Sequence, residues 1–550
     1  MADSLTNFLI EKSTVPPGNA DNWGPIIENA YGLGPGVYPP GIRQANDSTG
    51  APVKYRITEV TANGVTVPYN MPSLNSQPVQ GTVNWIRQMR TVGFLVFPTV
   101  IKVTPNGIFV TGSFKGTANF GTPGVPNSQP SSPLVSAGDN DLFLVKYDSN
   151  GAHQWSIRYG STGSEMPVTM DIDPSGNFYI AGSFVGSANF GGSTYTSNGG
   201  NNAAFIVKYN SSGAHQWSWA FKNINNCGFT AIKVNSQGIV ICASTVATGP
   251  TNPINFGTPG HPGTDLTSAF NHTNPALAAF DSGGNYQWSE LIDTNNSGEA
   301  IGLSLDSQDR IYLTGHWKGG GFFFGSILMH NFTTGGQYQS VYLARIGPNG
   351  ELPPFSGTWA VSYGDINAQK NFCSGLDSSG RLIAAGSFYF TANVGGGAVH
   401  GTAASFDTWV AAYSPTDGSY LGVSNFALGS DSCTPAGMAI DSQNNTYLVG
   451  SFDFTENFGG TILTAHDNGK NIDGFVWKLT PALATAWVKN WGQNPDPQTG
   501  LVLPVFATAI AIINQNPLAA GYFGYTVSFP PDLTATTPGG NDGFVMNLLP

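Results

Sequence analysis

Charge is what this sequence has least of. Lys, Arg, Asp and Glu together make up 10% of its 550 residues, against roughly 25% in an average soluble domain. No run of Lys and Arg occurs anywhere, and the formal net charge is −12. An electrostatic footprint for nucleic acid is therefore missing, and so is a polybasic membrane anchor. No apolar stretch reaches the roughly 18 residues of a membrane-spanning helix, so no membrane insertion is expected. The first twelve residues combine neither a basic start nor a long apolar core, which argues against a secretory leader. Cysteine is scarce too. Cys227, Cys242, Cys373 and Cys433 show no Cys-x-x-Cys spacing. They read as small buried apolar residues, with a Cys227–Cys242 or Cys373–Cys433 disulfide left open by spacing alone.

What is abundant points to strands and turns. The chain has 71 Gly, 37 Pro and 12% aromatics, and 40% of it is hydrophobic. Asn, Ser and Thr do the solvating that Lys and Glu usually do. The phrase Gly-Ser-Phe-x-Gly-x-Ala-Asn-Phe-Gly occurs at 112–121 and again at 182–191. Looser copies begin at Gly386, Gly450 and Gly521. A fixed period of this kind means one supersecondary unit copied many times.

Each unit reads as four strands, A to D. In the clearest copy, A is 168–173, B is 178–184, C is 204–209 and D is 215–220. The turns A–B and C–D carry Asn or Asp followed by Gly, the residues tight hairpins need. The A–B turn recurs near Asn106, Ser175, Gln237, Gln308, Ser379, Gln443 and Gln515, which makes seven units. Strand D recurs only six times, because the chain ends just after the last strand C. The orphan stretch 83–91, with Trp85 and Ile86, matches strand D around Trp155 one period upstream. It is expected to complete the last sheet and close the ring. The expected fold is all-β: a seven-bladed β-propeller of four-stranded antiparallel blades over residues 83–550. A linear solenoid is the alternative.

The pattern Asp-x-x-Gly-Asn-x-Tyr-Ile-Ala-Gly-Ser-Phe, then Phe-Ile-Val-Lys-Tyr, then Gly-x-x-x-Trp resembles the bacterial seven-bladed β-propeller (SBBP) repeat. The resemblance covers about residues 83–550 and is loosest in the third and fourth units, where Ala243-Ser-Thr and Gly315-His-Trp replace Gly-Ser-Phe. It implies a fold and no catalytic residue. Residues 1–82 fall outside the repeat. They read as an irregular N-terminal arm with short helices near 4–12 and 23–31, a hairpin around Asn63-Gly64, and a docking role toward other subunits.

The strand order gives two unlike faces. The A–B and C–D turns are tight, whereas the B–C loops are long and variable, which is where binding usually sits. His261, His272, His330, His400 and His466 fall in or beside these loops and are the candidate binding residues. The bland reading is scattered polar loop positions, and no His-x-His or His-Glu-x-x-His spacing supports zinc. Asp171-Ile-Asp173-Pro-Ser-Gly176 resembles the start of a calcium loop but lacks the Glu at its twelfth position, so a hairpin turn explains it. His153 and His215 recur at one repeat position, as do Phe120, Phe190, Phe256 and Phe458, and recurrence argues for packing between sheets. No cofactor or catalytic motif is found. The leading expectation is a non-enzymatic virion protein, such as a bacteriophage spike, fibre or tail component, binding a host-surface glycan or protein receptor. A bacterial cell-surface adhesion propeller is the second expectation. The third is a glycan-active enzyme, with Asp265, Asp407 and Asp473 as candidate acids by position.

Overall fold

The computed structural model describes residues 83–121, 132–294, 296–332, 338–401, 405–429, 432–466, 471–492, 504–529 and 533–549, and five short strands before them. The chain divides into two compact units, residues 1–79 and 80–550.

In the first unit the backbone of Asn7–Ser13 runs antiparallel to Lys54–Val60 and also pairs with Trp23–Pro25 and Val37–Tyr38. The helices expected near 4–12 and 23–31 are therefore corrected to strand where they are described. Pairing along both edges of Asn7–Ser13 satisfies its backbone, and such pairing overrides an amphipathic pattern. Lys54–Val60 and Thr66–Tyr69 pair as a hairpin.

In the second unit the order A-B-C-D recurs along the chain. Ser164–Ile172, Phe178–Val185, Ala203–Tyr209 and His215–Phe221 form one four-stranded antiparallel sheet. Cys227–Val234, Val240–Thr248, His272–Phe280 and Tyr286–Leu291 form the next. The 22-residue strand Val83–Thr104 joins the two chain ends in one eight-stranded sheet. Its second part pairs with Gly107–Asn119, and its first part with the C-terminal strand Leu533–Leu548. Trp85 lies opposite Asn547 and Ile86 opposite Met546. Each strand A packs against the strand A of the next sheet, and Val505–Ile513, the last of them, packs against Val83–Thr104. This is a β-propeller-type repeat fold.

The Gly-Ser-Phe phrase has a physical cause. Strand A bulges once in each sheet, for example between Pro167 and Thr169. The bulge bends its backbone toward strand B. A methyl group on Gly182 would meet the Met166 carbonyl oxygen there, so the position stays glycine. The Phe of the phrase is buried: Phe114, Phe184, Phe388, Phe452 and Phe523 are all within 1% of full burial. Each such ring contributes about 1.5–3 kcal/mol of burial.

The core lies between consecutive sheets rather than at one centre. Tyr179, Ala181 and Ile206 pack on Phe229, Cys242 and Ala276 of the following sheet. The same arrangement joins the chain's ends, where Met89, Val96 and Val110 pack with Ala509, Leu518 and Val545. All four cysteines are free and buried. His153 and His215 stand edge-on to Tyr147 and Tyr209, the residues opposite them on the neighbouring strand of the same sheet, so these contacts lie within a sheet rather than between sheets.

Candidate functional site

The described parts of the long segments after strand B include small hairpins. Ser187–Asn189 and Thr194–Thr196 form a small hairpin, and Phe322–Phe324 with Ile327–Met329 forms another. Their anchors are the recurrent Asn-Phe-Gly aromatics: Phe120, Phe190, Phe256 and Phe458 are fully buried. The tyrosine ending strand C holds the backbone beside them. Tyr147 and Tyr209 donate to the carbonyls of Phe120 and Phe190 at 3.2 and 3.0 Å. Tyr195 of the hairpin reaches the Ser218 carbonyl on strand D at 2.5 Å. The 187–196 hairpin thus leans on strand D of its own sheet, whereas Thr455–Phe458 pairs with Tyr420–Gly429, strand D of the preceding sheet.

What these segments expose is apolar. Phe270, Phe332, Tyr338, Phe390 and Phe454 follow strand B in four sheets, and each is between 41 and 54% exposed. Val92, Phe94, Ile224 and Ile366 add to them from the D–A links. By contrast, among the described residues no large apolar side chain is exposed at an A–B turn, and only Phe355 and Leu421 lie beside C–D turns. The two faces therefore differ in chemistry as well as in loop length. Folded domains rarely leave apolar groups concentrated on one side without a partner.

The five candidate histidines lie on this side but are not gathered. His261 closes a turn with Thr258 through two backbone bonds of 2.9 Å and is exposed. His272 opens a strand C beside the Phe270 ring, at 5.7 Å. His330 and His400 are exposed at the ends of small hairpins. Only His466 meets a second candidate: its Nδ1 lies 2.6 Å from Asp473 Oδ2. That hydrogen bond raises the imidazole's pKa against the effect of burial. Among the described residues no three His, Cys, Asp or Glu side chains gather as metal ligands. Asp173 spends its carboxylate on the backbone and side chain of Asn177, at 2.9 and 2.8 Å, which makes its loop a hairpin turn.

Two of the three candidate acids belong to a repeat position. The residue opposite the Gly-Ser-Phe phenylalanine, at the head of strand C, is Asp141, Asp407, Asp473 and Asp542 in four sheets. Asn274 takes the place opposite Val246. All five are buried, and several hold the end of strand D. Thr91 N donates to Asp542 at 2.7 Å, Gly429 N to Asp407 at 2.9 Å, and Thr294 N to Asn274 at 3.0 Å. Asn490 donates to Asp473 at 2.7 Å. This recurrence corrects the assignment of Asp407 and Asp473 as loop-face acids: they tie backbone inside the sheets. Asp265 is exposed and accepts from Asn255 at 2.7 Å. Asp141 and Asp542 were overlooked, although the pattern Asp-x-aromatic-Val/Leu at 141, 407, 473 and 542 is visible in the sequence.

Beside Asp141 lies Glu165, also fully buried. Burial, with Asp141 adding repulsion, pushes the Glu165 carboxyl up to about 8. Burial raises Asp141 as well, against the pull of Arg158, with which it forms an ion pair. A shallow groove of about 390 Å³ opens next to Arg158, lined also by Tyr159, Ser161, Asn189 and Thr194. Neither carboxyl is among its lining residues.

No family model matches the chain. It is 28% identical over 207 residues to an uncharacterised WD repeat-containing protein, L264, of Acanthamoeba polyphaga mimivirus, which is 35% of this chain. The matched part spans 14% of the length of that relative. Among solved structures, an ulvan lyase of polysaccharide lyase family PL25 aligns at 11% identity and a TM-score of 0.41, over 83% of this chain and 97% of that one. The WD40 domain of Neurospora crassa Pan2 aligns at 10% identity and 0.35, over 69% and 88%.

Proposed function

We propose that this chain is a non-catalytic binding scaffold that attaches through its long-loop face. The reading is carried by one observation: exposed aromatics follow strand B in sheet after sheet, while the tight-turn side has almost none. Aromatic faces supply contact area at low entropic cost, and a rigid repeat holds them in a fixed array. In this reading the fold is a seven-bladed propeller of SBBP type. Residues 83–91 complete its last blade, and the Thr508 hydroxyl, which donates to the Pro98 carbonyl at 2.6 Å, supports that closure. The proposed setting is a virion, with residues 1–82 docking on neighbouring subunits and the face meeting a host-surface glycan or protein. The viral source of the L264 relative is in keeping with that setting.

The test is a triple variant, Phe270→Ser, Phe390→Ser and Phe454→Ser, against Phe355→Ser on the other side. The triple variant should lose attachment to host cells at least tenfold with little change in thermal stability, and Phe355→Ser should lose none. Equal attachment by both would remove the face from the reading. Absence of the protein from purified virions would remove the setting alone. A glycan-active enzyme is disfavoured because the buried Asp141 recurs as a structural position and lies off the groove wall.

A further inference from the structure

Strand D carries one equivalent position in each repeat, opposite the residue two places after the head of strand C. It is Gln88 opposite Phe544, Asn490 opposite Phe475 and Arg158 opposite Phe143. All three tie the aspartate at that head. Gln88 Nε2 donates to Asp542 at 2.5 Å and Asn490 Nδ2 to Asp473 at 2.7 Å. Arg158 does the same for Asp141 through Nη1. Elsewhere the position holds Ala220, Leu291, Ser362 or Phe426. An amide therefore suffices for the structural task, and the guanidinium brings donors that the task does not use.

Those donors face a groove. Among the described residues Arg158 makes no hydrogen bond through Nε or Nη2, and its side chain is 32% exposed. It lines the groove of about 390 Å³ together with Tyr159, Ser161, Thr162, Asn189 and Thr194. Asp141 is fully buried, so the guanidinium is held from behind by a carboxylate that solvent does not reach. Tyr159 is fixed as well, its ring stacked on Tyr209 at 4.3 Å and its hydroxyl bonded to the Gly213 carbonyl. Ser161 Oγ spends its hydrogen on the Ser187 carbonyl at 2.7 Å and keeps lone pairs to accept. Thr194 Oγ1 accepts from Asn189 at 3.2 Å and keeps its hydrogen to donate.

We propose that this groove binds a neutral saccharide, with Arg158 as its specificity-determining residue, a step that rests on reading the long-loop face as the attachment surface. The groove lies on that face, between the 160–162 link and the 187–196 hairpin. Its wall offers both donors and acceptors, and each sugar hydroxyl is both. Two neighbouring hydroxyl oxygens can take the parallel Nε and Nη2 hydrogens of one guanidinium. The charge of Arg158 is already balanced by Asp141, and the chain carries −12 overall, so an anion gains little there. Ligand pockets begin at about 300 Å³, so this one suits a ligand of about one or two sugar rings.

The probes are the methyl glycosides of glucose, galactose and mannose, with glucuronate as the acidic alternative, each titrated into the full-length protein and followed by saturation-transfer NMR. At least one glycoside should bind saturably. Arg158→Gln, which keeps an amide for Asp141 as Gln88 and Asn490 do for their aspartates, should weaken it at least tenfold. In the unmodified protein the same glycoside should slow phenylglyoxal modification of Arg158 several-fold, read by peptide mass spectrometry. Arg310, comparably exposed at 34% on the tight-turn side, should be unaffected. The labelling needs no variant and decides the matter if Arg158→Gln fails to fold. Absence of saturable binding by all the glycosides, unchanged affinity in the variant, or tighter binding of glucuronate would overturn the proposal. If no glycoside binds while the aromatic triple variant still loses attachment, the groove falls and the attachment face stands.

Discussion

Glu165→Gln should change how stability depends on pH, and the structure fixes the sign. Glu165 is fully buried beside Asp141, and burial holds its carboxyl near 8 rather than the ordinary 4.5. In the unfolded chain it ionises at the ordinary value. Below that value both states carry the proton and the group costs nothing. Between about 4.5 and 8 only the folded state keeps it, so stability falls as pH rises through this window. The slope is about 1.4 kcal/mol for each pH unit, on the order of 4–5 kcal/mol across the window. Relaxation around the site, and the repulsion Glu165 shares with Asp141, reduce this to about 2–4 kcal/mol. Glutamine has the same shape and no proton to lose. The variant should therefore gain about 2–4 kcal/mol on the wild type between pH 5 and pH 9. Urea unfolding of both proteins at five pH values measures it, with Asp542 and the other buried acids cancelling in the difference. Parallel stability curves would refute the reasoning, since they would mean Glu165 ionises alike in both states.

Three further outcomes are expected. Thr508→Val removes the bond to the Pro98 carbonyl and Thr99→Val its counterpart to the Pro167 carbonyl; each should cost about 0.5–1.5 kcal/mol in urea unfolding, and a cost confined to Thr99→Val would mean the first and last inner strands do not meet. Tyr209→Phe, which frees the Phe190 carbonyl, should cost about 1–3 kcal/mol and speed hydrogen exchange in residues 187–196, whereas unchanged exchange there would detach the hairpin from that anchor. Ellman's reagent should find no reactive thiol in the native protein and four after denaturation, because Cys227, Cys242, Cys373 and Cys433 are free and buried.

The repeat was legible because its local causes are local. Strand B expected at 178–184 is Phe178–Val185, and strand C expected at 204–209 is Ala203–Tyr209. Alternation and Asx-Gly turns carry that information within a few residues. The arm was misread near 4–12 because its strand depends on partners more than forty residues away in Lys54–Val60. The acids were misread for a related reason. An Asp at the head of strand C looks like a loop residue until its carboxylate is seen to receive Gly429 N or Thr91 N from another strand.

By itself, then, the sequence determined an all-β chain of repeated four-stranded units, with the glycine, phenylalanine and turn residues each unit requires. Periodicity and turn chemistry act over short distances, and they are written directly in the residue order. Only the tertiary structure decided which residues meet across sheets. It buried the Asn-Phe-Gly aromatics, left Phe270, Phe390 and Phe454 outside, and set Lys102 against Asp171 of the next sheet. The Lys102–Asp171 meeting joins strands 69 positions apart, a distance over which local patterns carry no signal.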